Sequence, residues 1–393
     1  MQHDHHVAII CPSCGRPGAV ASVAIHHSAE LAKQCHVTLI SDSFPLSPIP
    51  GVRQLLIKPW QFGLLRRFAH VPNEVAFAFA AKRAIARLHA GIAISILLCN
   101  GHPVASLAAI TLKRKSGIPY ALVTHGDIFD RPKGTYDPRL TWLYLRTTPP
   151  AYRAADLVVA LSPYMANLAM RSGAHRNRVA IIPNGIDLSE IGHVPSRASS
   201  TSVGDEQTEI LFVGRLAIEK GVDILIEAAS LLKSRRIPFR LRIVGSGPQE
   251  TLLRQLVAGR NLSDVIDFVG PVGRMRLGPL YSSAHVVCVP SRSDPLPTVV
   301  LEAMACGLPV VGSNTGGIPY MIRDGVTGLL CRPGDFADLA VKLQQIARSP
   351  AIARRLGEAG RLEVEANFTW QKVGMALMKA LSCVAAMHHP STP

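Results

Sequence analysis

Two pairs of charged residues carry the chemistry that can be read from this chain. Asp294 lies in a proline-broken loop, Pro290 to Pro297, and Glu302 follows in a breaker-free run, Thr298 to Cys306, that Gly307 stops. Upstream, Arg215 and Lys220 share a loop that opens with Gly214 and closes with Gly221. Two cations on one loop can converge on a diphosphate, while carboxylates beside a helix start can grip hydroxyls. Together they suit a sugar joined to phosphate. Alone, each cation reads as an ordinary solvated side chain; its place directly after the strand-like run Ile210 to Val213 favours a functional role.

Other glycines stand after other apolar runs. Gly245 and Gly247 follow Arg240 to Val244, and by themselves would mark no more than a tight turn. Val269 and Gly270 end the run Val265 to Val269, where main-chain groups could read a nucleobase edge or simply close a strand. Gly316 and Gly317 follow Val310-Val311.

These loops need a scaffold of strands alternating with helices. In the N-terminal half, Val7 to Ile10, Val37 to Ile40, Ile94 to Leu98, Ala121 to Val123 and Leu157 to Ala160 read as strands. Ala19 to Gln34, Glu74 to Ala90, Val104 to Ser116 and Pro163 to Ser172 read as the helices between them. Pro, Ser, Thr and Gly then replace the apolar pattern, and the alternation restarts at Ile210. The expected architecture is α/β, two Rossmann-like doubly wound domains facing across a cleft. Residues 1–190 form the first, 191–208 a linker and 209–367 the second, with helices over 368–393 crossing back to the first. Ligands of such sheets bind beyond the carboxyl ends of the strands, which is where these loops fall.

Composition narrows the classes. A length of 393 residues allows two cores. No apolar run approaches the roughly 20 residues of a membrane span, and nothing at the start resembles an export signal, so a cytoplasmic location is expected. Scattered cysteines such as Cys35, Cys99, Cys288 and Cys306 suit a reducing compartment. Of the net charge of +15, residues 1–190 supply +10, with 20 Lys and Arg against 10 Asp and Glu. That half is expected to meet something anionic, either a phosphorylated acceptor or an acidic membrane face. Nucleic acid is disfavoured, because aromatic-rich binding surfaces are missing and the charge is split over two domains.

Taken together, Gly214-Arg215-Leu216, Lys220-Gly221, Asp294, the run Glu302 to Val311 and Gly316-Gly317 resemble the donor half of a family 4 retaining glycosyltransferase of the GT-B fold. The resemblance implies a C-terminal domain that holds a nucleotide-diphosphate sugar, UDP- or GDP-linked, and an N-terminal domain that holds a saccharide or lipid-linked acceptor. It assigns Arg215 and Lys220 to the diphosphate, Glu302 to the ribose hydroxyls and Asp294 to hydroxyls of the transferred sugar. Leu296, Pro297 and Thr298 form the loop that approaches sugar and phosphate. Gly214, Gly245, Gly247, Val269 and Gly270 complete the donor-binding set. The first acid of the pair is usually Glu in this family, so Asp294 is a departure that bears on which sugar is gripped.

In the N-terminal half, the family's counterpart of His125 faces the reacting carbon of the donor sugar, and Asn184 to Asp187 resembles a segment lining the cleft. Gly15 and Arg16 stand where relatives often have two glycines; Arg16 either meets a phosphate or points to solvent. Cys11 and Cys14 open a redox or metal alternative that lacks a second Cys pair. The Trp60 to Phe68 segment mixes aromatics with cations and could lie on an anionic membrane, with Lys113-Arg114-Lys115 reinforcing that face; a packed loop explains it equally well. The terminal His3, His5 and His6 are expected to be disordered.

The resulting expectation is a retaining, metal-independent transferase in bacterial surface polysaccharide or glycolipid assembly, cytoplasmic or peripheral on the inner membrane face, requiring no cofactor. No Asp-x-Asp metal motif occurs. A sugar-nucleotide epimerase or hydrolase, and a non-catalytic sugar-nucleotide-binding protein, are the alternatives.

Overall fold

A computed structural model describes residues 5–15, 18–58, 70–101, 103–125, 138–191, 207–273 and 276–388. The chain divides into two compact units, Met1–Asn184 with Trp370–Pro393, and Gly185–Thr369.

The first unit is built on a seven-stranded sheet of β1 (His6–Ile10), β2 (His36–Ser41), β3 (Val52–Leu56), β4 (Ile96–Asn100), β5 (Tyr120–Thr124), β6 (Leu157–Ala160) and β7 (Val179–Ile181), in the order β3-β2-β1-β4-β5-β6-β7. Every pairing is parallel. Strands covered on both faces must be apolar throughout, and β1, β4 and β5 are buried at each position. His6 lies in β1, with Nε2 2.8 Å from Thr38 Oγ1, so burial and pairing overturn the expectation of disorder there. The helix Trp370–His388 belongs to this unit. Its Trp370 ring stacks on His26 of the helix Ala19–Ala32 at 4.4 Å, and a Cβ on Gly374 would meet Glu30 at 2.5 Å, so the two helices touch closely.

The second unit carries a six-stranded parallel sheet of β8 (Thr208–Val213), β9 (Phe239–Val244), β10 (Ile266–Gly270), β11 (Val286–Val289), β12 (Val310–Ser313) and β13 (Leu329–Cys331), in the order β10-β9-β8-β11-β12-β13. One core cluster joins alternate residues of the strands, Phe212, Phe239, Ile243 and Cys288, which share one face of the sheet, to Leu225 and Leu343 of the helices that cover that face. Sharp helix starts help fix it: the Asp335 side chain accepts from the amides of Ala337 and Asp338, and Ser349 accepts from Ile352 ahead of Pro350.

In both sheets the winding direction reverses beside the first strand, between β1 and β4 and between β8 and β11. At such a reversal the loops leaving neighbouring strands turn to opposite faces and leave a crevice at the carboxyl ends.

Candidate functional site

The β8–β11 reversal brings together the loops that the sequence singles out. Gly214 N–H donates to Val244 O at 3.0 Å, Gly245 N–H to Gly270 O at 2.8 Å, and Leu216 N–H to Ser246 O at 2.9 Å. The strand-end loops after β8, β9 and β10 are thereby laced to one another through main chain. Several of these close approaches need glycine. Gly221 has φ +66° and a Cβ there would lie 2.0 Å from Pro290 O; Gly245 has φ +130° and a Cβ would lie 1.9 Å from Gly214 O. Gly247 likewise lies against Leu216 O.

Across the crevice, Lys220 Nζ donates to Asp294 Oδ2 at 2.5 Å. The sequence-based reading gave these two separate ligand groups; the structure joins them to each other. Asp294 is 5 % exposed, and its carbonyl accepts the Gly317 N–H at 2.8 Å, so the acid is fixed from two sides. Lys220 is held by the single 3₁₀ turn Ile218–Lys220. Arg215 is different: its side chain is 56 % exposed, and among the described residues its ion-pair partner is the rim acid Glu219, at 3.3 Å. A weak, solvated pair of that kind leaves the guanidinium available to a ligand.

Glu302 sits on the helix Thr298–Ala305, and one of its oxygens accepts from the buried Tyr281 hydroxyl at 2.7 Å. That bond sets the carboxylate's direction. The helix starts at Pro297 with no side-chain cap, so its first amides point outward from the loop with the partial positive charge of a helix end. Leu296 and Pro297 have buried side chains and can offer a ligand only backbone, whereas Thr298 is exposed. Val269, 42 % exposed, and Gly270 end β10 where its register shifts.

Arg292 was not singled out by sequence. It forms a two-pronged pair with Asp223 at 2.7 and 2.6 Å, donates to Ile218 O at 3.0 Å, and its amide donates to Glu219 O. Burial works against the Asp223 anion, but the guanidinium outweighs it and holds that carboxyl below its ordinary value. The Arg292 pKa is raised by the same bond. Arg292 thus anchors the loop that presents Arg215 and Lys220. Only the three-dimensional approach of loops 69 residues apart reveals it.

The first unit has a polar group at its own reversal. His125 Nε2 is hydrogen-bonded to Asn100 Oδ1 at the end of β4, which fixes the ring. Asn100 Nδ2 and Thr124 Oγ1 are buried with no hydrogen-bond partner among the described residues. His27 is 1 % exposed with neither ring nitrogen bonded among the described residues, and burial, with His125 and His26, pushes its pKa down to about 3. Gly15 packs against Phe44 O; Arg16 and the Trp60 to Phe68 segment lie outside the described residues. Lys113 is committed to Asp156 at 2.6 Å and Ala154 O at 2.8 Å, so it lends no free charge to a membrane face. Cys11 and Cys14 are buried, and among the described residues no group of His, Cys, Asp and Glu could hold a metal ion. No helix of the described residues is long and apolar enough to cross a membrane.

Comparison with known proteins fixes the family. Residues 18–190 match the profile "Glycosyltransferase Family 4" and residues 197–363 match "Glycosyl transferases group 1". The chain belongs to the family 4 glycosyltransferases of the GT-B fold. It is 34 % identical over 241 residues to D-inositol 3-phosphate glycosyltransferase from Pseudarthrobacter chlorophenolicus, a match covering 60 % of this chain and 57 % of that protein. The chain therefore spans a little over half the length of such relatives. Sucrose-phosphate synthase from Thermosynechococcus elongatus shares its fold with a TM-score of 0.79 at 24 % identity, covering 98 % of this chain and 100 % of that one. Anabaena HepE, solved with UDP-glucose, superposes with a TM-score of 0.71 at 18 % identity, covering 96 % and 99 %. As a family 4 glycosyltransferase, this chain has its group 1 match over the unit that carries Arg215, Lys220, Asp294 and Glu302.

Proposed function

We propose that this family 4 glycosyltransferase moves a sugar from a nucleotide diphosphate to an acceptor hydroxyl with retention of anomeric configuration and without a metal. One observation carries the reading: the loop bearing Arg215 and Lys220 meets, through the Lys220–Asp294 bond, the loop that leads into an uncapped helix start where the second sheet reverses. Two cations and a helix N-terminus can stabilise a departing diphosphate, which is the charge that develops as the sugar leaves. In the step itself the acceptor oxygen bonds to the anomeric carbon, the bond from that carbon to the nucleotide phosphate oxygen breaks, and the hydroxyl proton passes to the released phosphate. Glu302, aimed by Tyr281, takes the ribose hydroxyls; Asp294 takes hydroxyls of the sugar and shares Lys220 with the phosphate. Main chain at Val269 and Gly270 meets the base. His125, its ring fixed by Asn100, is assigned to the sugar being transferred.

The donor is a UDP- or GDP-sugar. UDP-glucose bound to a protein of the same fold supports the uridine choice. A phosphorylated or lipid-linked acceptor suits the positive first half, and the inositol phosphate named for a relative is of that chemical kind. Surface polysaccharide or glycolipid assembly in the cytoplasm, beside the membrane, is the setting this implies.

Thermal-shift measurement against a panel of UDP- and GDP-sugars, followed by product analysis with and without acceptor, tests the reading. Stabilisation by one donor and product only with acceptor is expected; consumption of the donor without acceptor would make the chain a hydrolase or epimerase instead.

A further inference from the structure

A cavity of about 620 Å³ opens at the free edge of the first sheet, between β3 and the helix His70–Gly91. Four cations line it: Arg53 and Lys58 from the strand and its exit, Arg83 and Arg87 from the helix. No lining residue is acidic, and among the described residues none of the four cations meets a carboxylate. The remaining lining is mostly apolar, and it includes Leu56 and Ile92, which are 52 % and 41 % exposed.

Cations along an edge strand can serve merely to repel another strand. That accounts for Arg53 and Lys58. It does not account for Arg83 and Arg87, which stand one turn apart on the helix, where like charges disfavour the helix itself. Four unpaired cations around one concave site, with uncovered apolar side chains beside them, have a specific complement: a phosphate group carried on a hydrocarbon chain. A small phosphate would leave Leu56 and Ile92 wet, and a neutral apolar ligand would leave the four charges unanswered.

We propose that this cavity seats the phosphate headgroup of an anionic membrane lipid, with the start of its chain against Leu56 and Ile92. The proposal stands apart from the donor-site reading, because it concerns only residues of the other unit. It would fix one edge of the first sheet against the bilayer surface, using charges that Lys113, tied to Asp156, does not supply.

The test is co-sedimentation of the full chain with phosphatidylcholine vesicles, with and without phosphatidic acid. The double variant Arg83→Gln/Arg87→Gln should lose roughly tenfold or more in binding to the acidic vesicles. A variant neutralising two cations of the other unit, Lys342→Gln/Arg354→Gln, lowers net charge equally and should bind like wild type. None of the four is buried, and equal melting temperatures among the proteins establish that the fold is kept. Retained binding in the first variant, or equal loss in the second, overturns the proposal. So does the absence of vesicle binding when soluble pyrophosphate stabilises the wild type and not the Arg83/Arg87 variant, since the site would then take a free anion. UDP-induced stabilisation, read on the same samples, reports the second unit, so a failure there strikes the donor reading and leaves this one standing.

Discussion

Lys220 reaches Asp294 across 2.5 Å from a loop that lies 74 residues earlier in the chain. Because Asp294 is almost fully enclosed while Lys220 is about a quarter exposed, the bond matters unequally to its two ends. Removing the cation strands a buried carboxylate. Removing the acid leaves an ammonium that water can still reach.

From that asymmetry, Lys220→Ala should lower unfolding free energy by about 2–3 kcal/mol, and Asp294→Asn by about 1 kcal/mol or less. The double change should recover part of the loss, since no unpaired charge stays inside. Urea denaturation of the three variants measures this, and both Lys220 variants should also lose most transfer activity. Arg215→Ala separates the two effects: with its side chain largely in solvent, it should cost roughly 0.5 kcal/mol or less in stability yet lower turnover by about a hundredfold.

Arg292 makes a prediction about loops instead of ligands. Arg292→Ala removes the two-pronged bond to Asp223 and the tie to Ile218 O, so the turn presenting Lys220 should loosen and UDP affinity fall roughly tenfold. Arg292→Lys should rescue little, because one ammonium cannot reproduce the forked geometry. Calorimetric titration with UDP decides it.

Asn100 holds the ring of His125 and is expected to act through it. Asn100→Ala should lower kcat by roughly tenfold to a hundredfold with UDP affinity unchanged. Asn100→Asp keeps an acceptor but adds a negative charge, which favours the protonated imidazole, so the pH profile of kcat should shift upward. A purely structural role for Asn100 would leave that profile in place.

His27 predicts an acid limb in stability. Its folded pKa, pushed down to about 3, lies below the ordinary histidine value, so the unfolded chain binds the extra proton between those two pH values. Stability is therefore full above about pH 6.5 and falls as pH drops towards 3, by up to about 1.4 kcal/mol per pH unit. His27→Leu should flatten that slope and, by removing two unbonded buried nitrogens, stabilise the protein at pH 7 by about 1 kcal/mol. Denaturation at pH 7.5, 6 and 5 checks both.

The sequence shows most of the architecture because β1, β4, β5 and β11 are short and buried throughout, and β8 is apolar from Ile210 to Val213, as strands covered on both faces require. It hides β3, whose residues Val52 to Leu56 mix charge with partial exposure at the sheet's edge, and β7 and β13, which are three residues each. The helix Pro138–Ala154 is also hidden, since Pro149-Pro150 inside it signals a break. At the candidate site the residue types are legible and their partners are not. Lys220 and Asp294, Arg292 and Asp223, and Tyr281 and Glu302 each join distant loops or elements, and no local spacing encodes such a meeting.

The bare-backbone contacts at Gly221 and Gly245 have an evolutionary corollary. With the loops after β8, β9 and β11 seated atom to atom on one another, no single replacement at the floor of the crevice can widen it without displacing a neighbouring strand end. On the proposed donor reading, variation in donor preference is expected at side chains beside these bare-backbone contacts, such as Asp294 and the half-exposed Val269. Laboratory selection for a new donor should begin with libraries at those positions and hold the glycines constant.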